Sequence, residues 1–223
     1  MKIIARLHND FPDKFGLPRQ SGLAGNLLST VVMEKEYAVP EAFRGITDYE
    51  RLWLLWLFDG QPEEDAFSPT VRPPRLGGNV RMGVFATRSP NRPNRIGMTC
   101  VRLLGMEIKE GLGPVLTVAG ADMKDGTAIV DIKPYLPYAD SYPDAAGGFA
   151  VPEKETLAVR MDCAFPPEWS KAQRDAFTEV LAQDPRPAYQ ADPERVYRMR
   201  YAGYDAVFSV SGTELTVREF VKE

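Results

Sequence analysis

The sequence predicts a mainly β protein, in which an all-β N-terminal part is followed by a small C-terminal α+β domain. In the first two thirds of the chain, apolar residues fall into short runs between Gly- and Pro-rich turns, and no long helical pattern intervenes. This pattern is typical of a barrel or sandwich and argues against a doubly wound sheet. After Pro166 and Pro167 the apolar spacing becomes helical. We therefore predict two domains, residues 1–164 and residues 165–223.

The strands of the first domain are predicted from short apolar and β-branched runs. The clearest run, Leu52–Phe58, is followed at once by Asp59 and Gly60. Its length fits a strand buried on both faces, although periodicity alone also permits a short helix. The other predicted strands are Met1–Leu7, Thr30–Met33, Thr99–Ile108, Val115–Val118, Ile129–Ile132 and Thr156–Met161. A loop rich in Gly and Pro, residues 10–25, joins the first two strands.

The second domain combines one predicted helix with two predicted strands. Apolar residues recur at helical spacing between Glu168 and Gln183, which predicts an amphipathic helix. The sequence Asp-Pro-Arg-Pro at residues 184–187 ends it. Two strands, Tyr204–Val210 and Glu214–Val221, are then joined by a Ser-Gly-Thr turn.

Composition excludes several classes of protein. No apolar run approaches the ~18 residues of a membrane-spanning helix, and the N-terminus lacks a signal-peptide pattern, so we expect a cytoplasmic protein. Cys100, Cys163 and the single histidine, His8, are too few for a disulfide framework or a zinc cluster, so we expect no metal and a structural role for His8. Phosphate-binding P-loop, Rossmann and nucleophile-elbow motifs are absent from the sequence.

Positive charge is concentrated in one segment although the net charge of the chain is −4. No acidic residue lies between Asp65 and Glu107, and this arginine-rich segment contains no lysine. Its arginines are Arg72, Arg75, Arg81, Arg88, Arg92, Arg95 and Arg102. Arginine presents a planar fork that binds phosphate or carboxylate through two hydrogen bonds. The segment therefore predicts an anion-binding surface, the alternative being a solvated basic loop.

Four motifs occur in an order that points to a known family. They are K-F-G-L-P-R-Q at residues 14–20, V-R-P-P-R-L-G-G-N at 71–79, G-V-F-A-T-R-S-P-N-R-P-N-R-I-G at 83–97 and D-G-T-A-I-V-D-I-K-P-Y at 125–135. Together they resemble the signatures of the TrmO family, also called TsaA-like or YaeB proteins. Arg95 and Ala128 stand where the family usually has proline, and Asp59 stands where relatives often have histidine.

The resemblance implies a β-barrel methyltransferase that uses S-adenosylmethionine and acts on tRNA. Its expected target is N6 of a threonylcarbamoylated adenosine immediately 3′ of the anticodon. It also implies a homodimer with the cofactor near the subunit contact. The cofactor contacts implied by the resemblance are Pro18, Arg19, Gln20, Phe58, Asp59, Arg88, Met98, Asp125, Gly126, Thr127 and Ala128.

The residues themselves are compatible with this chemistry. A carboxylate of the cofactor suits an arginine fork, and an Asp-Gly-Thr turn can bring backbone amides close to a ligand. RNA contacts are predicted at Arg72, Arg75, Arg81, Arg92 and Arg95. The group that accepts the N6 proton is left open among Asp125, Asp131 and Tyr138; Asp131 could equally anchor a turn beside Lys133.

Two alternatives to a tRNA methyltransferase remain at the level of the sequence. One is a non-catalytic RNA-binding barrel whose arginines bind only phosphate. The other is a methyltransferase of the same fold that acts on a small anionic molecule.

Overall fold

The N-terminal part of the chain forms a closed six-stranded barrel in a computed structural model, which describes residues 1–58, 67–73, 76, 79–150, 156–186, 192 and 194–223. Among the described residues the strands are β1 (Ala5–His8), β2 (Leu28–Met33), β3 (Arg51–Leu57), β4 (Thr70–Val71), β5 (Met82–Gly83), β6 (Ile96–Lys109), β7 (Gly113–Ala119), β8 (Thr127–Pro134), β9 (Ala158–Met161), β10 (Val196–Tyr201), β11 (Tyr204–Ser211) and β12 (Glu214–Lys222). The helices are α1 (Pro137–Asp140) and α2 (Lys171–Ala182). Around the barrel the order is β1-β2-β7-β6-β3-β8, with β8 closing antiparallel against β1. The predicted mainly β fold with an N-terminal barrel is confirmed.

The barrel interior is filled by alternate residues of its strands. In β3, Leu52, Leu54 and Trp56 are buried, whereas the residues between them are only partly buried. This period of two confirms a strand and excludes the short helix. The expectation that the run is buried on both faces was wrong, because β3 is a barrel wall with one face toward the core.

Short elements connect the barrel strands. Single 3-10 turns lie at Pro40–Phe43, Ile46–Asp48 and Val84–Ala86. Within the arginine-rich segment, β4 and β5 pair as a two-residue antiparallel ribbon. The amide of Val84 donates to the carbonyl of Pro69 at 2.9 Å, so the chain after the ribbon is tied back to the chain before it.

The C-terminal part is a four-stranded sheet, in the order β10-β11-β12-β9, with α2 packed against it. Helix α2 begins with a capping box, in which Ser170 and Gln173 satisfy each other's backbone amides. Its buried face places Phe177 against Tyr201 and Trp169, with ring centroids 5.4 and 5.2 Å from that of Phe177. Among the described residues, no helix has the length and apolar run that crossing a bilayer requires.

Two features of this sheet differ from the sequence prediction. The strand that we assigned to the end of the first domain, β9, runs parallel to β12, with Ala158 opposite Glu214 and Met161 opposite Val217. A local pattern indicates a strand but not its partner, which is set by packing between distant segments. Strand β10 was not predicted. Its buried residues alternate with exposed ones that include Arg198 and Arg200, so the segment contains no continuous apolar run.

We predict that Gly97→Ala destabilises the barrel by about 1–3 kcal/mol, as measured by denaturant unfolding. A Cβ at Gly97 would overlap the Trp56 indole, which is held by a hydrogen bond from its Nε1 to the Thr99 hydroxyl. Gly105→Ala on the same strand is the matched control, because no atom lies within 4 Å of the position of its added Cβ. Equal effects of the two substitutions would contradict the packing described here.

Candidate functional site

A chain of hydrogen bonds crosses one end of the barrel wall and joins three segments. The Trp56 indole Nε1 donates to the Thr99 Oγ1 at 2.9 Å, and that hydroxyl donates to Asp122 Oδ1 at 2.6 Å. Thr99 is buried, so its hydroxyl uses both its acceptor and its donor capacity inside the protein. We call Trp56, Thr99 and Asp122 the inner polar cluster; it links β3 and β6 to the segment that follows β7.

Asp122 is a carboxylate in a largely desolvated position. Burial raises the pKa of the Asp122 carboxyl, and hydrogen bonds from the Thr99 hydroxyl and the Ser21 amide oppose that rise. The positive charge of Arg88 opposes it as well. Asp122 therefore interacts at once with the barrel wall, with the loop between β1 and β2 and with the arginine-rich segment.

The loop between β1 and β2, residues 9–27, approaches the inner polar cluster through direct backbone packing. The amide of Gly22 donates to the carbonyl of Gly120 at 3.0 Å. Gly120 has a φ of +82°, and a Cβ at this position would lie 3.4 Å from the backbone of Gly22. The left-handed backbone would strain any residue with a side chain, which explains the glycine at position 120.

Arg88 and Gln20, both predicted cofactor contacts, lie together beside this junction. Arg88 Nη1 donates to Gln20 Oε1 at 2.7 Å, and Gln20 Nε2 donates to the Arg19 carbonyl at 2.7 Å. The Arg88 side chain is exposed, and a guanidinium has five N–H donors. Arg88 can therefore bind Gln20 and an anionic group together.

Arg92, a predicted RNA contact, supports the loop that carries Arg88. Its Nη1 donates to the carbonyls of Val84 and Thr87 at 3.2 and 2.7 Å, and its guanidinium lies 5.7 Å from the Phe85 ring centroid. The Thr87 hydroxyl accepts from the Ser89 amide at 3.2 Å. These bonds hold the backbone on both sides of Arg88 in a defined conformation.

The Asp-Gly-Thr turn does not present its amides as the sequence analysis expected. The amides of Asp125 and Gly126 donate to the carbonyls of Phe11 and Leu7 at 2.7 and 2.8 Å, and the Thr127 amide donates to Lys124 at 3.4 Å. The turn thus fastens β8 to the end of β1, and the three amides are used within the chain. The Ala128 position lies in the β8 ladder opposite Arg6.

His8 lies beside this turn. Its Nδ1 is 3.0 Å from Asp125 Oδ1, and the same carboxylate oxygen accepts from the Asn9 amide at 3.1 Å. Both side chains are nearly half exposed. Sequence reasoning expected a structural histidine and gave no sign of this pair, which forms only when β1 and β8 become neighbours.

Other predicted cofactor contacts lie in different surroundings. The Phe58 ring packs against Trp56 with centroids 4.2 Å apart, and Pro18 is buried. Met98 is 54% exposed. Because neighbouring residues of a strand point to opposite faces, Met98 lies on the outer face of the barrel wall while Thr99 points inward. Asp59 lies outside the described residues.

The predicted RNA contacts also differ in environment. Arg72 and Arg81 are exposed, and Arg81 Nη1 donates to the Thr70 hydroxyl at 2.9 Å. Arg95 is partly buried, and its carbonyl accepts from the Phe58 amide at 3.0 Å. Arg75 lies outside the described residues. Arg72 and Arg81 therefore retain the surroundings expected of phosphate ligands.

Asp131 and Tyr138, two of the three candidate proton acceptors, have different surroundings. Asp131 Oδ2 pairs with Lys133 Nζ at 2.9 Å, and both residues lie within β8, so the pair does not anchor a turn. Tyr138 is 87% exposed. Asp122 was not among the candidates, although it lies three residues before the Asp-Gly-Thr motif; its only sequence signal is an acid within an otherwise apolar stretch.

We predict that Asp122→Asn becomes progressively more stable than the unmodified protein as pH rises from about 4 to 7. Burial raises the folded-state pKa of Asp122 above its ordinary 3.8, so protonation of this carboxyl favours folding. This stabilisation by protonation is complete at pH values below the pKa that Asp122 has in the unfolded protein. It is lost as the pH rises through the higher pKa that Asp122 has in the folded protein. Asn keeps an oxygen that accepts from Thr99 and carries no charge. The free energy of unfolding, measured against pH, checks this; a difference that is constant or shrinks with pH would contradict it.

Comparison with known proteins matches both parts of the chain. The tRNA-methyltransferase O N-terminal domain matches residues 6–141, and the TrmO C-terminal domain matches residues 155–223. The chain is 39% identical over 230 aligned residues to tRNA (adenine(37)-N6)-methyltransferase of Escherichia coli K12, covering 95% of this chain and 96% of the relative.

Further relatives agree in sequence and structure. A putative S-adenosylmethionine-dependent methyltransferase, RcsF, of Pseudomonas aeruginosa is 40% identical over 88% of this chain and 86% of its own length. A crystal structure of TrmO from P. aeruginosa superposes with a TM-score of 0.77 at 32% identity, covering 98% of this chain and 95% of that one. The resemblance predicted from the four motifs is confirmed: the chain belongs to the TrmO family.

Proposed function

We propose that this protein is an S-adenosylmethionine-dependent tRNA methyltransferase that methylates N6 of threonylcarbamoyladenosine 37, next to the anticodon. The observation that carries the proposal is the similarity over nearly the whole chain to the E. coli tRNA (adenine(37)-N6)-methyltransferase. The P. aeruginosa relative supports the cofactor through its description as S-adenosylmethionine-dependent. The threonylcarbamoyl group is the further step that we propose.

The junction of Gln20, Arg88 and Asp122 fits the functional groups of the cofactor. When bound, S-adenosylmethionine supplies an electrophilic methyl group attached to a sulfonium. The exposed Arg88 fork suits its carboxylate, and Gln20, already bonded to Arg88, sets the direction of that fork. The partly exposed Phe58 ring, packed on Trp56, suits an apolar or cationic part of the ligand.

The task of these residues is orientation. Methyl transfer needs nitrogen, carbon and sulfur in line, and pre-oriented reactants can lower a barrier by about 7–11 kcal/mol. The structure supports such a role because the bonds of Arg92 hold the Arg88 loop and Asp122 is bonded to Thr99. Neither arrangement needs a ligand in order to form.

A hydrogen-bond acceptor near N6 would draw electron density onto that nitrogen and take its proton. The Asp131 carboxylate pairs with Lys133, and the Asp125 carboxylate accepts from His8 and Asn9. Both carboxylates are nearly half exposed. We therefore keep Asp125, Asp131 and Tyr138 as the candidates for this role.

The arginine-rich segment supplies the RNA surface in this proposal. Bases of an anticodon loop are already partly unpaired, so presenting one to a pocket costs less than extracting it from a duplex. Exposed Arg72 and Arg81 can neutralise phosphates along the adjoining strand. Binding that depends on several phosphates weakens steeply with salt.

A homodimer and a cytoplasmic location complete the proposal. The outer side of β6 exposes Ile96 and Met98 to 37% and 54%, and Phe85 in the preceding loop is 71% exposed. Exposed apolar side chains of this kind are typical of a contact surface. In the proposed homodimer the second copy covers this outer side of β6, so that Met98 lies near the subunit contact.

The direct test is to incubate the purified protein with S-adenosylmethionine and threonylcarbamoylated tRNA, then analyse the nucleosides by mass spectrometry. We expect one added methyl group on the modified adenosine 37 and much less on tRNA that lacks the threonylcarbamoyl group. Cofactor binding without methylation of any tRNA would favour a small-molecule methyltransferase. Binding of tRNA without binding of S-adenosylmethionine would favour a non-catalytic RNA-binding barrel.

We predict that two arginines of the arginine-rich segment affect different ligands. Arg88→Ala raises the Kd for S-adenosylmethionine by about tenfold or more, because a charge-assisted bidentate contact is lost. Arg72→Ala leaves that Kd unchanged, weakens tRNA binding and lowers the slope of log affinity against log salt by about 1. Calorimetry and a salt titration measure the two quantities. Normal cofactor affinity in Arg88→Ala would remove Arg88 from the site.

A further inference from the structure

The loop between β1 and β2, which carries Pro18, Arg19 and Gln20, is held by the C-terminal part of the chain as well as by the barrel. It contains neither helix nor strand. Phe11, Ala24 and Leu27 of this loop are buried in the core of the C-terminal sheet and α2, not in the barrel core. The Phe11 ring lies 4.9 Å from the Tyr201 ring of β10. The apolar anchors of a proposed cofactor-binding loop therefore belong to the second hydrophobic core.

The glycine of the K-F-G-L-P-R-Q motif is fitted against the same strand. Gly16 has a φ of +92° and is buried. A Cβ at Gly16 would overlap the side chain of Met199 in β10. Close approach to Met199, together with the left-handed backbone, explains why glycine occupies this point of the loop.

Polar groups of α2 and β10 hold the two ends of the loop. The Glu179 carboxylate of α2 accepts from the amides of Gly25 and Asn26 at 3.0 and 2.9 Å. At the other end, Gln173 Nε2 donates to the Asp10 carboxylate at 3.2 Å, and Arg200 of β10 pairs with Asp13. Both ends of the loop are thus bonded to the C-terminal part through side chains.

The turn after α2 binds the loop at the residue next to Gln20. Arg19 Nη2 donates to the Arg186 and Asp184 carbonyls at 2.9 and 3.4 Å. Asp184 has a φ of +51°, an unfavourable conformation for a residue with a Cβ. Its carboxylate accepts from Arg186 Nε and Nη2, both at 2.8 Å. This ion pair stabilises a strained turn whose carbonyls point at Arg19.

We infer that the C-terminal part is a positioning element that sets the affinity for S-adenosylmethionine by holding residues 9–27. The inference rests on the proposed function, because it takes Arg19 and Gln20 as part of the cofactor site. Arg19 binds the turn after α2 while Gln20 binds Arg88, so adjacent residues join the C-terminal part to the arginine-rich segment. When the turn after α2 is disrupted, Arg19 loses its bonds to that turn, and the neighbouring Gln20 no longer has a fixed position. Arg88, which donates to Gln20, then loses its defined orientation.

The test compares Asp184→Ala and Glu179→Ala with Arg160→Ala as a matched control. Arg160 pairs with Asp162 and Glu214 within the C-terminal sheet and makes no contact with residues 9–27 among the described contacts. We expect Asp184→Ala and Glu179→Ala to raise the Kd and the KM for S-adenosylmethionine about tenfold. The kcat at saturating cofactor stays within about twofold. Arg160→Ala leaves all three quantities unchanged.

Glu179→Gln is a milder substitution that still tests the inference if an alanine variant folds poorly. Its amide oxygen can still accept from one of the two loop amides, so we expect a Kd between those of the unmodified protein and Glu179→Ala. Circular dichroism of each variant checks the fold. Unchanged cofactor affinity in folded Asp184→Ala and Glu179→Ala would overturn the inference while leaving the proposed function intact. Failure of the unmodified protein to bind S-adenosylmethionine would instead overturn the proposed function.

Discussion

The hydrogen bond from the buried Thr99 hydroxyl to Asp122 is the interaction on which the arrangement of the site depends. Thr99 is fixed by its place in β6 and by the Trp56 indole, so it gives the Asp122 carboxylate a defined position. Asp122 in turn accepts from the Ser21 amide and lies near the charge of Arg88. A desolvated carboxylate with these partners links the barrel wall, the loop between β1 and β2 and the arginine-rich segment.

Hydrogen bonds and ion pairs within the protein hold the segments of the proposed site, and these bonds form without a ligand. Arg92 holds the arginine-rich segment from within, and Glu179 and Asp184 hold the loop between β1 and β2 from outside the barrel. The residues on both sides of Arg88 and the loop between β1 and β2 contain no strand, so side-chain bonds to backbone groups replace the ladder that would otherwise define them. A site that mainly orients its reactants requires this kind of support.

The sequence predicted local structure and family well, but predicted long-range pairing poorly. The strand β3 and the helix α2 were predicted because each depends on neighbouring residues, although β3 buries one face and not two. The partner of β9 and the Thr99–Asp122 bond were not foreseen, because they join segments far apart in the chain. The Asp125–Thr127 turn shows the same limit: its composition suited ligand binding, yet its amides donate to the carbonyls of Phe11, Leu7 and Lys124. Arg88 and Gln20 came from the family resemblance, and the structure brings them into contact.

Hydrogen exchange of backbone amides, followed by mass spectrometry with and without S-adenosylmethionine, tests most directly where the cofactor binds. If the junction around Asp122 is the site, added cofactor slows exchange in three segments together: residues 14–22, 84–92 and 120–123. Exchange in β4 and in the 3-10 turn at Pro40–Phe43 stays the same. Protection that leaves those three segments unchanged and appears elsewhere, under conditions where the cofactor is bound, would contradict this placement.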